Sequence, residues 1–308
     1  MWTSMVDMST NFCGITLKNP VMTASGTCGF GMNYFEYYKP NSLGAIVVKG
    51  TTLAPQDGNP TPRIAETPSG IINAIGLQNP GIDAFLSTEL PNLRKYDGTV
   101  VIANIAGKTI EDYCEIAHRI SDSSVDMVEL NISCPNVKEG GVAFGTDERV
   151  IEEITRRVKV SCTKPLIVKL SPNVTSIKKM AKAAENGGAD AVSLINTLLG
   201  MSIDIKTRRP IIKNNVGGLS GPAVKPVALR MVYEVRSEIS LPIIGMGGIA
   251  TASDAIEFML AGACAVAVGT AVFKNPHAPM EIVTGIEKYL SDNGHGSPSE
   301  IVGKLKTW

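Results

Sequence analysis

The sequence of 308 residues contains only three histidines and two tryptophans, and none of its six cysteines forms a C-x-x-C pair. Zinc and iron–sulfur spacings are therefore missing, and no metal site is expected in this chain. Basic and acidic residues balance at 29 each, so no net field draws the chain to nucleic acid or to an anionic membrane. The longest apolar run, residues 259–273, is interrupted by Gly262 and Gly269 and is too short to cross a bilayer. The first residues carry neither a basic stretch nor an apolar core, so no signal peptide is expected. Cys13, Cys28, Cys114, Cys134, Cys162 and Cys264 are then expected to be reduced thiols of a cytoplasmic protein.

What is present is a rhythm. Short apolar runs at residues 21–24, 46–49, 100–105, 127–131, 166–170, 191–195, 243–246 and 265–268 have the character of parallel strands covered on both faces. Helical apolar stripes lie between them at 110–121, 147–160, 176–186, 224–237 and 253–261. Eight such strands with intervening helices predict an α/β fold, a (β/α)8 TIM barrel over residues 1–308 as a single domain; a doubly wound open sheet is the alternative. Residues 11–17 predict an N-terminal hairpin that plugs the barrel floor, and residues 299–305 one further helix. Two connections, 50–80 and 197–222, are rich in Gly, Pro and Asn and follow strand C-termini. They predict long loops over the C-terminal face, where barrel enzymes build their sites.

The seventh strand runs into G-M-G-G-I and the eighth into V-G-T-A. Loops after these two strands form the usual phosphate site of a barrel, with glycines admitting an anion to the main chain and N–H groups at a helix start attracting it. Gly247, Gly248, Gly269 and Thr270 are the expected cradle.

Polar residues stand where the other strands open: Ser25, Lys49, Asn104, Asn131, Lys169 and Asn196. Two lysines and several amides without a histidine suit a ring bearing N–H and C=O groups. A lysine beside the N1–C2=O edge of a flavin would stabilise the reduced ring. Glu129, in phase with Asn131, reads as a buried partner of a strand-end lysine. Cys134 follows the fourth strand on a glycine-rich loop. It could be a nucleophile, a base or an inert thiol; a nucleophile usually has a histidine partner, and inert thiols usually sit inside strands or helices.

The stretch N-I-S-C-P-N-V-K-E-G-G, residues 131–141, resembles the catalytic loop of class 1 dihydroorotate dehydrogenases. N-A-I-G-L-Q-N-P-G, residues 73–81, resembles their substrate loop, and V-K-G at 48–50, V-K-L-S-P-N at 168–173, I-N-T at 195–197 and G-G-L-S-G at 217–221 agree. The resemblance runs from about Asn11 to Tyr289. It implies one FMN per chain, contacted by Ser25, Lys49, Gly50, Asn104, Asn131, Lys169, Ile195, Gly221, Gly247, Gly248, Gly269 and Thr270. It implies a substrate, dihydroorotate, contacted by Lys49, Asn73, Ala74, Ile75, Gly76, Leu77, Asn131, Asn196 and Thr197. Cys134 would take the proton from C5 while a hydride leaves C6 for the flavin, giving orotate for pyrimidine biosynthesis.

Class 2 enzymes carry serine at the base position and a membrane-associating extension; here the residue is Cys134. Class 1A enzymes, which use fumarate, usually read Pro-Gly-Lys-Pro where this chain has Lys138-Glu139-Gly140-Gly141, similar to class 1B. Class 1B implies a homodimer within a heterotetramer, with FAD and a [2Fe–2S] cluster on a partner subunit that reduces NAD+. The absence of cluster spacing and of G-x-G-x-x-G here agrees with that division of labour. A fumarate-dependent enzyme, another FMN barrel acting on dihydropyrimidines, and a flavin-free phosphosugar isomerase or lyase barrel are the competing readings. A nucleotide-binding scaffold without activity is the non-enzymatic one.

Overall fold

The computed structural model of the chain describes residues 6–133 and 144–308; Cys134 lies outside the described residues. Eight parallel strands form one sheet: β1 (Val21–Thr23), β2 (Ile46–Val47), β3 (Val101–Ile105), β4 (Met127–Asn131), β5 (Leu166–Lys169), β6 (Ala191–Leu194), β7 (Ile243–Met246) and β8 (Ala265–Val268). Their order is β1-β8-β7-β6-β5-β4-β3-β2. A parallel bridge between Met22 and Ala45, with the Gly44 N–H donating to the Val21 carbonyl at 2.7 Å, closes the ring. This is the expected barrel, each strand lying within two residues of its predicted ends.

Alternation along the strands separates two cores. Val101, Ala103 and Ile105, like Val128 and Leu130, face the helices, whereas Ile102, Met127, Ile167, Ala191 and Ile244 point into the barrel. The hairpin Thr10–Phe12 and Ile15–Leu17 inserts Phe12 and Leu17, both fully buried, into that inner cluster from below. Each such side chain contributes about 1.5–3 kcal/mol. Apolar residues thus fill the floor, and polar groups are left for the upper layers.

Among the described residues the longer helices are α1 (residues 81–93, with a π-helical stretch Phe85–Glu89), α2 (Ile110–Ser121), α3 (Glu148–Ser161), α4 (Ile177–Asn186), α5 (Lys225–Arg236), α6 (Ala252–Ala261) and α7 (Ala278–Asp292). Neither α1 nor α7 belongs to the sequence expectations. In α7 the stripe Ile282, Ile286, Leu290 is interrupted by Gly285, where a Cβ would collide with Ala252; the gap lets α7 lie close on α6. The helix expected at 299–305 is not formed. Pro298–Glu300 makes a single 3-10 turn, Gly303 takes φ +70°, and the N–H groups of Gly303 and Leu305 donate to the Met259 and Leu260 carbonyls of α6. Docking onto a neighbour replaces the helical hydrogen bonds.

The two long connections pair with each other. Ile64–Thr67 and Gly70–Asn73 from the first, and Leu198–Gly200 and Gly217–Ser220 from the second, form an antiparallel four-stranded sheet over residues from both loops. Ala65, Ile72, Ala74 and Ile212 give it a small core of its own. The five described cysteines are free, and burial pushes the thiols of Cys28 and Cys162 up and that of Cys13 to about 12. The shift favours the protonated thiol in all three.

Candidate active site

A cavity of about 880 Å³ opens at the C-terminal ends of the strands, beneath the four-stranded sheet. Its lining includes Ser25, Lys49, Gly50, Asn131, Lys169, Ile195, Asn196, Thr197 and Gly221 from the expected set. Asn73, Ile75, Gly76 and Leu77 line it from the first insertion, and Gly247, Gly248, Gly269 and Thr270 from the last two βα loops. Residues expected from nine different stretches of sequence therefore share one space. Two expected contacts stand back from it. Asn104 is fully buried behind Asn131, and Ala74 is packed in the insertion core.

The strand ends carry a connected polar layer. Lys169 Nζ lies 3.3 Å from Ser25 Oγ and 4.0 Å from Glu129 Oε1. Asn104 Nδ2 donates to Glu129 Oε1 at 2.6 Å, and Ser193 Oγ donates to Glu129 Oε2 at 2.8 Å. Asn131 Nδ2 donates to Asn104 Oδ1 at 3.2 Å, and its carbonyl accepts from Tyr113 of α2 at 2.9 Å. Glu129 meets the expectation of a buried partner for a strand-end lysine, but its nearer partners are an amide and a hydroxyl. Ser193 and Ser133 did not stand out in the sequence. Ser193 occupies the inward phase of β6, shared with Ala191, which is the signal that marks it.

The part of the cavity beside the last two βα loops is shaped by backbone. Gly247 and Gly248 have φ values of +121° and +78°, and a Cβ on Gly248 would sit 2.8 Å from the Lys225 backbone nitrogen. Only glycine fits there. Thr270 Oγ1 donates to Ser220 Oγ at 2.8 Å, tying the eighth loop to the insertion sheet. The start of α6 is not an open anion site. Thr251 and Asp254 form a capping box, and Asp254 Oδ2 accepts from the N–H groups of Ala250 and Thr251 at 3.0 and 2.9 Å. The two glycine loops, not the helix end, are left to meet an anion.

Asp254 also receives Lys225 Nζ at 2.7 Å, and Lys225 reaches Glu257 at 2.8 Å. Burial pushes the Asp254 carboxyl up, but Lys225 and the capping N–H groups outweigh it and hold the group below its ordinary range. Its folded pKa is thus below the unfolded one, so the stabilisation is present above about pH 4 and fades as pH falls through the folded value. Asp254→Ala should lower stability at pH 7 by about 1 kcal/mol, with the difference from the unaltered chain shrinking in acid. Urea denaturation at pH 7 and pH 3 measures both.

The first insertion is held over the cavity by Asn79. Its Oδ1 accepts from the N–H groups of Thr52 and Gly81 at 3.1 and 2.9 Å, while Nδ2 donates to the Leu77 carbonyl at 2.6 Å. This asparagine, in the Q-N-P-G end of the quoted stretch, shapes the loop without lining the cavity. Opposite it, Asn196 Nδ2 donates to both Ser133 O and Ser133 Oγ at 2.9 Å, and Asn196 Oδ1 accepts from the Thr197 N–H at 2.8 Å. Ser133 is the last described residue before Cys134, so the polypeptide is anchored at that point.

The strand-end layer can thus bind a flat ring with donors and acceptors beside cations, and the glycine loops an anionic tail. A family model described as Dihydroorotate dehydrogenase matches residues 7–290. The chain is 60% identical over 299 residues to a protein of Alkaliphilus oremlandii, covering 97% of this chain and 99% of that protein. It is 58% identical over 300 residues to one of Alkaliphilus metalliredigens, with 97% and 99% covered. To one of Thermoanaerobacter pseudethanolicus it is 57% identical over 293 residues, with 95% and 97% covered. All three relatives carry the name Dihydroorotate dehydrogenase B (NAD(+)), catalytic subunit.

Proposed function

The chain belongs to the dihydroorotate dehydrogenase family and is an oxidoreductase, and on that premise we propose that it oxidises dihydroorotate to orotate with FMN as its prosthetic group. The observation that carries this reading is the cavity lined both by an amide and lysine layer at the strand ends and by the glycine loops after β7 and β8. The residues fit FMN. Gly247, Gly248, Gly269 and Thr270 would take its phosphate through main-chain N–H groups. Ser25, Lys49, Gly50, Asn131, Lys169, Ile195 and Gly221 would hold the ring system and the chain that joins it to the phosphate, with Asn104 acting from behind through Asn131. When bound, FMN supplies the hydride acceptor.

The remaining tasks fall to the chain's own side chains. Lys49 would take the substrate carboxylate, and Asn73, Asn131, Asn196 and Thr197 its ring amides, with Ile75, Gly76 and Leu77 closing the side. Cys134 would remove the C5 proton as general base. Its sequence neighbour Ser133 is held by Asn196. Lys169 would face the reduced ring with its positive charge.

The words catalytic subunit and NAD(+) in the relatives' names support a partner that carries FAD and a [2Fe–2S] cluster and passes electrons to NAD+. Exposed aliphatic side chains on the second insertion, Met201, Ile203 and Ile205 among them, support a homodimer at the centre of a heterotetramer. Among the described residues no helix is long and apolar enough to cross a membrane; we place the protein in the cytoplasm. Met201→Asp combined with Ile205→Asp should turn a dimer into a monomer by light scattering, and an intact dimer would remove this surface from the reading.

The direct test is spectroscopic. The purified protein should be yellow or accept FMN, lose its flavin absorbance anaerobically with dihydroorotate, and shift its spectrum with orotate but not uracil. A colourless protein that FMN does not reconstitute would return the flavin-free barrel to first place. Co-purification with a partner showing an iron–sulfur spectrum tests the NAD-linked assignment, whereas a homodimer that reduces fumarate would overturn it.

A further inference from the structure

Glu129 is a completely buried carboxylate inside the barrel, and none of the roles above uses it. Burying such a group is costly unless pairing and hydrogen bonds offset the loss of water. A carboxylate can only accept hydrogen bonds, so Asn104 must present its NH2 group to Glu129 Oε1. Asn104 Oδ1 is then turned to Asn131, whose own Nδ2 donates to it. That leaves Asn131 Oδ1 to accept from the Ser133 N–H at 3.4 Å and from Ser133 Oγ at 3.3 Å. With its proton committed, Ser133 Oγ accepts from Asn196 Nδ2. Asn196 Oδ1 is left for the Thr197 N–H. Every link donates toward Glu129, across the ends of β3, β4 and β6.

We propose that Glu129 is a positioning residue: from beneath the site it fixes which end of each amide in this relay carries oxygen, and it balances the Lys169 ammonium 4.0 Å away. The inference rests on the FMN reading and deepens it, because the oriented amides and the balanced lysine are those assigned to substrate and flavin. A glutamine at this position would offer both donor and acceptor, so Asn104 could turn over and carry the relay with it. It would also leave the Lys169 charge uncompensated beside the reduced ring, making reduction easier.

Three measurements on the FMN-loaded protein separate these effects: the flavin midpoint potential, the orotate Kd from its spectral shift, and Tm. Glu129→Gln should raise the potential by about 30 mV, a tenfold change in a two-electron equilibrium, and weaken orotate about tenfold. Glu129→Asp keeps the charge but shortens the reach to Asn104, so the potential should hold while orotate weakens. A merely structural role would lower Tm and move neither potential nor affinity; that result, or a potential that falls in Glu129→Gln, overturns the proposal. If Glu129→Gln does not fold, unaltered orotate affinity in Glu129→Asp overturns it instead. Unaltered chain that takes up no FMN indicts the functional reading, whereas FMN-loaded chain with indifferent Glu129 variants indicts this inference alone.

Discussion

Cys134→Ala should retain FMN while anaerobic flavin reduction by dihydroorotate slows by about 10²- to 10⁴-fold, the usual contribution of a positioned general base. The reason lies in what the site lacks. Its described lining holds lysines, asparagines, threonines and serines, and Glu66 as its one carboxylate, but no histidine, and Glu129 is sealed below behind Asn104. The thiol of Cys134 follows directly on Ser133, which Asn196 grips twice. Because the thiolate is the active form, reduction in the unaltered protein should accelerate with rising pH, and the variant should lose that dependence. Stopped-flow reduction across pH measures both. Normal kinetics in the variant, or a flat profile in the parent, would remove the thiol from the chemistry.

Lys169→Met should have the largest effect on the fold itself. Lys169 and Glu129 have side chains 6% and 1% exposed, so deleting the cation leaves a carboxylate with no access to water. Breaking a buried pair costs about 3–5 kcal/mol; at 4.0 Å, and with Asn104 and Ser193 still donating to Glu129, the lower end of that range is expected. The reverse deletion is milder, because Lys169 borders the cavity and can be solvated there, while Glu129 does not. Adding Glu129→Gln to Lys169→Met should therefore restore most of the lost stability. Urea denaturation of the apoprotein reads this directly, and failure of the double variant to recover would mean that the two groups do not interact. In the FMN-loaded form, Lys169→Met should also lower flavin occupancy and make the potential more negative.

The sequence by itself determined the eight strands, most of the helices and the glycine loops. Each of these is written in local pattern: alternation inside a strand, a stripe along a helix such as Ile110, Tyr113, Cys114, Ala117 and Ile120, of which Tyr113, Ala117 and Ile120 are buried, and glycine where φ is positive. Strand-end phase was enough to select Lys49, Asn131 and Lys169 for one face, because all eight strands of a parallel barrel point the same way. Tertiary structure alone decided what depends on distant partners. The pairing of Gly218 with Asn73 brings two insertions together across 145 residues, and no local signal specifies it. The C-terminal segment exchanged its helix for hydrogen bonds to α6. Glu129 became the end of an amide relay only when β3, β4, β5 and β6 were assembled in one sheet, since the direction of a hydrogen bond is set by the acceptor it meets and not by the residue that donates it.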